Sequence, residues 1–168
     1  TSAGRKIDAK TVERYLQGLQ DGLLVYQADR FHLVGKEVLR INPKYYVVDV
    51  AMRFFLIGRK GRGTGHVLEN IVYLELLRRG YRVYVGALSK GEVDFVAQDE
   101  IGQIYIQVAE STQQSEVLER ELRSLRAIKD NYPKILLTLD EVNATADYNG
   151  IKKKNVLRWL LEEEEKGE

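Results

Sequence analysis

The sequence has no cysteine, and only two prolines, two histidines, one methionine and one tryptophan among 168 residues. Without cysteine there can be no disulfide, no thiolate zinc site and no cysteine nucleophile. The same absence fits a reducing compartment, and a cytoplasmic location is expected. His32 and His66 are far apart in sequence, and neither has a metal-ligand partner at a useful local spacing. No Gly-x-Ser-x-Gly elbow occurs. No apolar run approaches the roughly 20 residues that span a bilayer, and no secretory leader is visible, so no membrane partner is expected. The chain does not start with Met, and Thr1-Ser2-Ala3-Gly4 reads as the cut edge of a larger protein.

What is present is a globular composition, with 44% hydrophobic and 30% charged residues, which excludes an intrinsically disordered chain. The net charge of +1 hides an asymmetry. Residues 1–66 carry 12 Lys+Arg against 6 Asp+Glu, a balance of +6, and residues 67–168 carry 14 against 19, a balance of −5. Such a split suggests two functional parts, the first able to meet an anionic partner.

Asp8 to Leu19 has helical spacing at Val12, Tyr15, Leu16 and Leu19, and Gly22 ends it. Leu23–Leu33 and Glu37–Val50 read as two extended runs around a Gly35-Lys36 turn, the second broken by Asn42-Pro43. A helix followed by a two-stranded ribbon resembles the back half of a winged helix-turn-helix, assigned to residues 1–57. In that setting Lys10, Arg14, Lys36 and Arg40 are candidates for phosphate contacts. The Gly-Arg-rich stretch Gly58–Gly65 lacks the Gly-Lys-Ser/Thr order of a phosphate loop, so it reads as a basic linker whose Arg59 and Arg62 are further nucleic-acid candidates. The chain itself therefore cannot be expected to hydrolyse ATP.

Residues 58–168 read as a second unit. His66–Arg79 is a strong helix with Leu68, Val72 and Leu76 inward, terminated at Gly80. Three strands rich in Val, Ile, Tyr and Phe follow at Tyr81–Val85, Glu92–Ala97 and Ile104–Ala109. An amphipathic helix at Ser115–Lys129, a continuous apolar strand at Lys134–Leu139 and a helix from Val156 to Leu161 complete it. Lys152-Lys153-Lys154 reads as a turn or an edge-strand guard. The expected fold is α/β or α+β, a mixed sheet with helices on both faces.

The chemistry concentrates between Gly65 and Glu110. Glu69 stands early on its helix, Asp94 in the strand Gly-Glu-Val-Asp-Phe, and Gln107 in Ile-Tyr-Ile-Gln-Val-Ala. On neighbouring strands Asp94 and Gln107 could point to one place, with Glu69 reaching it from the helix. Carboxylates so placed suit Mg²⁺ or Mn²⁺, which prefers hard oxygen ligands and can polarise a phosphate and generate hydroxide. A lysine beside them would orient the attacking water, but two positions after Gln107 stands Ala109. Losing such a charge typically costs several kcal/mol of barrier, roughly a thousandfold in rate. Lys90 and Lys129 are candidates to replace it. The remaining reading is structural: Glu69 and Asp94 simply bond backbone groups or pair with cations.

From Gly65 to Leu161 the pattern resembles the restriction-endonuclease-like PD-(D/E)XK superfamily. The whole chain is similar to the C-terminal domain, of unknown function, of a prokaryotic family of AAA+ ATPases, in which a winged-helix segment precedes the nuclease-like domain. The matching phrases are Lys-Tyr-Tyr-Val-Val-Asp (44–49), Leu-Glu-Asn-Ile-Val-Tyr (68–73), Arg-Arg-Gly-Tyr-Arg-Val-Tyr-Val-Gly (78–86), Gly-Glu-Val-Asp-Phe-Val (91–96), Tyr-Ile-Gln-Val-Ala (105–109) and Asp-Asn-Tyr-Pro-Lys (130–134). The resemblance implies that ATP belongs to an N-terminal module absent from this chain, that Glu69 and Asp94 match metal positions, and that Gln107 matches the Glu/Gln position. Three functions stay open: a DNA-binding or partner-docking accessory module with a degenerate nuclease site, a Mg²⁺- or Mn²⁺-dependent DNase, and an assembly domain or homo-oligomer using Tyr15, Tyr26, Tyr45 and Tyr46 at an interface.

Overall fold

The computed structural model describes residues 8–58 and 64–162. Arg59 and Arg62, the two linker candidates, lie outside the described residues. In chain order the elements are α1 (Ala9–Asp21), β1 (Val25–His32), β2 (Glu37–Val47), α2 (Val50–Ile57), α3 (Gly65–Arg78), β3 (Arg82–Ala87), β4 (Glu92–Gln98), β5 (Gln103–Ala109), α4 (Ser115–Arg126), β6 (Lys134–Thr138), β7 (Ala146–Tyr148), β8 (Ile151–Asn155) and α5 (Val156–Leu161). The strands form one eight-stranded mixed sheet in the order β2-β1-β3-β4-β5-β6-β8-β7. The expected α+β class, a mixed sheet flanked by helices, is what the chain forms.

Each face of the sheet buries its own layer. On one side α3 and α5 cover Tyr46, Val83, Val85, Phe95 and Ile106 with Val72, Leu76 and Trp159. On the other, α4 sets Leu122 and Leu125 against Val93, Val96, Tyr105 and Leu136. Central strands covered on both faces read as near-continuous apolar runs, as Ile135, Leu136 and Leu137 do in β6. Helix α4 carries Glu116 in its first turn and Arg123 and Arg126 in its last, each sign suited to the local end of the helix dipole.

The ribbon β1–β2 is an antiparallel pair, and β1 also pairs in parallel with β3 through Arg30, Phe31 and His32. Strands on either side of residues 57/58 thus belong to one sheet. Two polar side chains fix the ribbon to α3. The Asn70 amide donates to Val47 O and accepts from Val47 N, each at 2.9 Å, and Tyr46 donates to Glu69. Strand β2 is a sheet edge, and its ladder is broken where Ala28 pairs with Lys44 but Arg30 with Leu39. Asn42 adopts φ +46° there, followed by Pro43, an interruption that discourages pairing with another chain.

Two expectations need correction. The strand order continues past β6 into the short hairpin β7–β8, and Lys152–Lys154 lie within β8, an interior strand parallel to β6, not in a turn or at an edge. Tyr46 is buried and stacked on Tyr73, with ring centroids 4.1 Å apart, so it cannot serve a protein interface.

Strand β4 carries a bulge: Tyr84 pairs with Val96 and Gly86 with Val93, so β4 has one residue more than β3 over this span. Gly86 permits the close approach. A Cβ there would lie 3.1 Å from Val93 Cβ and Val96 Cγ2 and 3.2 Å from Leu33 Cδ1. Gly86→Ala is expected to lower stability by about 1–3 kcal/mol through overpacking. Urea unfolding should show a lower midpoint with an unchanged slope, and an unchanged midpoint would mean that the layer accommodates the methyl group.

Candidate functional site

The bulge places Asp94 where the β4–β5 ladder runs out, since the paired residues extend only from Phe95–Ile106 to Gln98–Gln103. Side chains take over from the backbone at that point. The Asp94 N–H donates to Gln107 Oε1 at 3.3 Å, and Val108 N–H donates to Asp94 Oδ2 at 2.8 Å. Bulges commonly re-aim a side chain beside a site, and this one sits next to a buried acid. Asp94 and Gln107 are both buried.

Three elements converge on this point. From α3, Glu69 Oε1 accepts from Tyr46 Oη at 2.6 Å and from Lys44 Nζ at 3.2 Å. From β2, Lys44 also bonds Glu92 Oε1 at 2.7 Å, and Glu92 Oε2 takes Arg30 at 2.8 Å. From α4, Glu121 Oε2 accepts from Gln107 Nε2 at 2.9 Å while its other oxygen accepts from Arg120. His66 Nδ1 lies 3.8 Å from Glu69 Oε2 at the exposed rim.

The electrostatics are uneven. Burial, then the Glu69 charge, push the Asp94 carboxyl up to about 7, against partial relief from the Val108 N–H and Lys44. For Lys44, burial works to lower the pKa, but Glu69 and Glu92 outweigh it and hold the ammonium above its usual range. Burial raises the Tyr46 phenol, reinforced by Glu69, so it stays a hydrogen-bond donor. Glu92 is held low because Lys44 and Arg30 together exceed its burial penalty.

The sequence-expected trio is therefore brought to one end of the sheet, and the lysine found there is Lys44. Lys90 and Lys129 are exposed and form no ion pair with these acids among the described residues. Ala109 is buried in β5. From sequence alone Lys44 is one more ribbon cation for phosphate contact rather than a member of this site, and Glu121 is not singled out. Glu121 did leave a signal: it falls on the apolar spacing of α4, between Leu118 and Leu122, where a solvated glutamate would not belong.

The donor set does not fit a metal ion as arranged. Glu69, Asp94 and Gln107 each spend an oxygen on a protein donor, and among the described residues no group of three His, Cys, Asp or Glu is placed to hold one. A divalent cation usually needs at least one or two carboxylates free to face it. Of the nucleic-acid candidates, Lys10 and Arg14 are exposed on α1 and Arg40 is exposed on β2. Lys36 is committed elsewhere, bonding Asp130 Oδ2 at 2.7 Å and the Tyr105 hydroxyl at 3.4 Å.

A second buried cluster lies at the ends of β5, β6 and β8. Asp140 Oδ2 accepts from Lys153 Nζ at 2.8 Å and from the Thr112 hydroxyl and N–H at 2.7 and 2.9 Å. Ser111 donates to Asp140 Oδ1 at 2.6 Å, and Asn155 bonds the Asp140 carbonyl while capping α5. All its polar atoms are satisfied internally, which marks it as a structural pin.

Residues 1–62 match the family model described as a domain of unknown function, DUF8612. An uncharacterized protein of Haemophilus influenzae is 42% identical over 154 residues, which covers 90% of this chain and 37% of that protein. An uncharacterized protein of Methanocaldococcus jannaschii is 30% identical over 145 residues, covering 82% of this chain and 30% of the relative. The chain thus spans about a third of the length of the curated relatives it matches. No solved structure matches.

Proposed function

We propose that this chain is an accessory module of a longer AAA+ family ATPase, built on a restriction-endonuclease-like sheet whose acidic site has become an internal hydrogen-bond network. The observation that carries this reading is the commitment of all three positions. Glu69 is taken by Tyr46 and Lys44, Asp94 by the Val108 N–H, and Gln107 by the Asp94 N–H and Glu121. The ATPase context rests on the resemblance of the motifs at 44–49, 68–73, 78–86, 91–96, 105–109 and 130–134, and on relatives that are about three times as long as the shared stretch. In this reading the module binds DNA through Lys10, Arg14 and Arg40 or docks a partner, and ATP is used elsewhere in the polypeptide.

Calorimetric titration with Mn²⁺ is expected to give no saturable heat, alike for the native chain and for Asp94→Asn. Saturable binding that Asp94→Asn abolishes would end the degenerate reading. DNA contact has its own signature. Affinity should fall steeply between low and physiological salt, and Lys10→Ala with Arg14→Ala should flatten that slope. Salt-independent association would favour an apolar protein interface instead.

One observation favours a second reading, a Mg²⁺- or Mn²⁺-dependent DNase. Lys44 places an ammonium 3.2 Å from Glu69, and its charge is felt at Asp94, so the cation missing at Ala109 has a stand-in from β2. Under this reading Lys44→Ala lowers cleavage by at least about a hundredfold while leaving DNA affinity within a few-fold. An absence of cleavage by the native chain with either metal removes it.

A further inference from the structure

Helix α1 is amphipathic, yet none of its residues is fully buried. Val12, Tyr15 and Leu19 recur at helical spacing but are 43%, 64% and 39% exposed, and no residue of the helix is buried. A 13-residue helix of this kind is marginal alone and ordinarily owes its stability to packing of its apolar face. The apolar strip does not stop at the helix. Leu24 N–H donates to Leu19 O, and Val48 N–H donates to Leu24 O, so exposed Leu24 and Val48 carry the strip onward. Val48 also lines a cleft of about 320 Å³ together with Val50, Ile71, Leu74 and Leu160 and the charged Asp49, Glu75 and Arg78. Exposed apolar side chains on neighbouring segments, beside an apolar cleft, are the form of a docking surface.

We propose that this strip and cleft dock the flanking part of the longer polypeptide to which the chain's relatives belong, presenting it with an apolar helical face. Two considerations select this occupant. The matched stretch is only 37% and 30% of the two relatives, so most of each polypeptide lies outside it and is tethered beside this surface. The exposed apolar side chains of the strip are also few: Val12, Tyr15, Leu19, Leu24 and Val48. A tethered neighbour is present at an effective concentration of about millimolar, which makes a modest apolar contact sufficient. A second copy meeting in solution would need roughly 1,000 Å² of well-matched surface. The inference rests on the accessory-module reading only in requiring a longer polypeptide, not in requiring that it hydrolyse ATP.

Hydrogen exchange read by peptide mass spectrometry, on this chain and on the full-length Haemophilus influenzae relative, tests it. In this chain the peptides covering Ala9–Leu24 are expected to exchange fast at every protein concentration. The aligned helix of the full-length relative should exchange at least tenfold more slowly, with β4 and β5 peptides protected in both. Equal, fast exchange in the full-length relative overturns the proposal. So does protection in this chain alone that disappears on dilution, because a second copy then covers the face. ATP hydrolysis by the full-length relative is a separate readout: its absence ends the ATPase reading without touching the docking result, and hydrolysis with an unprotected helix does the reverse.

Discussion

Replacing Lys153 with methionine is expected to destabilise the chain by about 3–5 kcal/mol, a loss of roughly 10 °C in Tm for a domain of this size. Lys153 and Asp140 have side chains that are 4% and 1% exposed and meet at 2.8 Å. Removing the ammonium leaves a carboxylate buried without its counter-ion, and the remaining donors from Ser111 and Thr112 cannot neutralise it. The double variant Lys153→Met with Asp140→Asn should recover part of the loss, because no orphan charge remains. The pH dependence follows from Asp140. Burial alone would push its carboxyl up, but hydrogen bonds from Lys153, Ser111 and Thr112 outweigh burial and hold it well below the usual carboxylate range. A depressed carboxyl contributes stability that is present above its unfolded pKa of about 4 and is lost as pH falls below it. The native chain should therefore lose stability steeply on acidification, and Lys153→Met should lose less. Urea unfolding from pH 3 to pH 8 measures both. A single-variant loss below about 1 kcal/mol would mean that water reaches the pair and that the pin is not buried in solution.

This pin also explains what the sequence could not disclose. Strands β3 to β6 are legible because most of their buried positions are filled by Val, Ile, Leu, Phe and Tyr, with Gly80 and Gly91 at positive φ marking the turns. Helices α1, α3 and α4 are legible from spacing. Strand β8 is not, because Ile-Lys-Lys-Lys-Asn shows a lysine at its central buried position, and only Asp140, 13 residues away, makes that burial tolerable. The same limit applies to the candidate site. Its acids are visible as a helix glutamate and a strand aspartate, but the lysine that joins them comes from β2, 25 residues before Glu69. Patterns of period 2 and 3.6 report which face of an element is apolar. They carry nothing about a polar pair whose members satisfy each other across the fold.

Replacing Asp94 with asparagine is expected to raise stability at pH 8 by on the order of 2 kcal/mol, and by less than half of that at pH 5, where the loss has only begun. Burial, reinforced by the Glu69 charge, moves the Asp94 carboxyl from an ordinary 3.8 to about 7. A raised folded-state value means that the folded chain holds the proton more tightly than the unfolded one. The associated stability is full below about pH 4 and is lost as pH rises through about 7. Asparagine keeps the acceptor that Val108 N–H needs, at 2.8 Å in the native chain, without any charge to bury. Unfolding of both proteins at pH 5, 6, 7 and 8 should thus give curves that diverge with pH, whereas parallel curves or a loss at pH 8 would show that Lys44 fully offsets the burial. The outcome bears on function because an acid that only supported β5 would be replaceable by asparagine at no electrostatic cost. An acid kept against the stability of its own fold is the mark of a site. A pH-dependent gain without Mn²⁺ binding identifies Asp94 as the remnant of one. The same gain with saturable Mn²⁺ binding transfers the weight to the DNase reading and makes Lys44 the next residue to change.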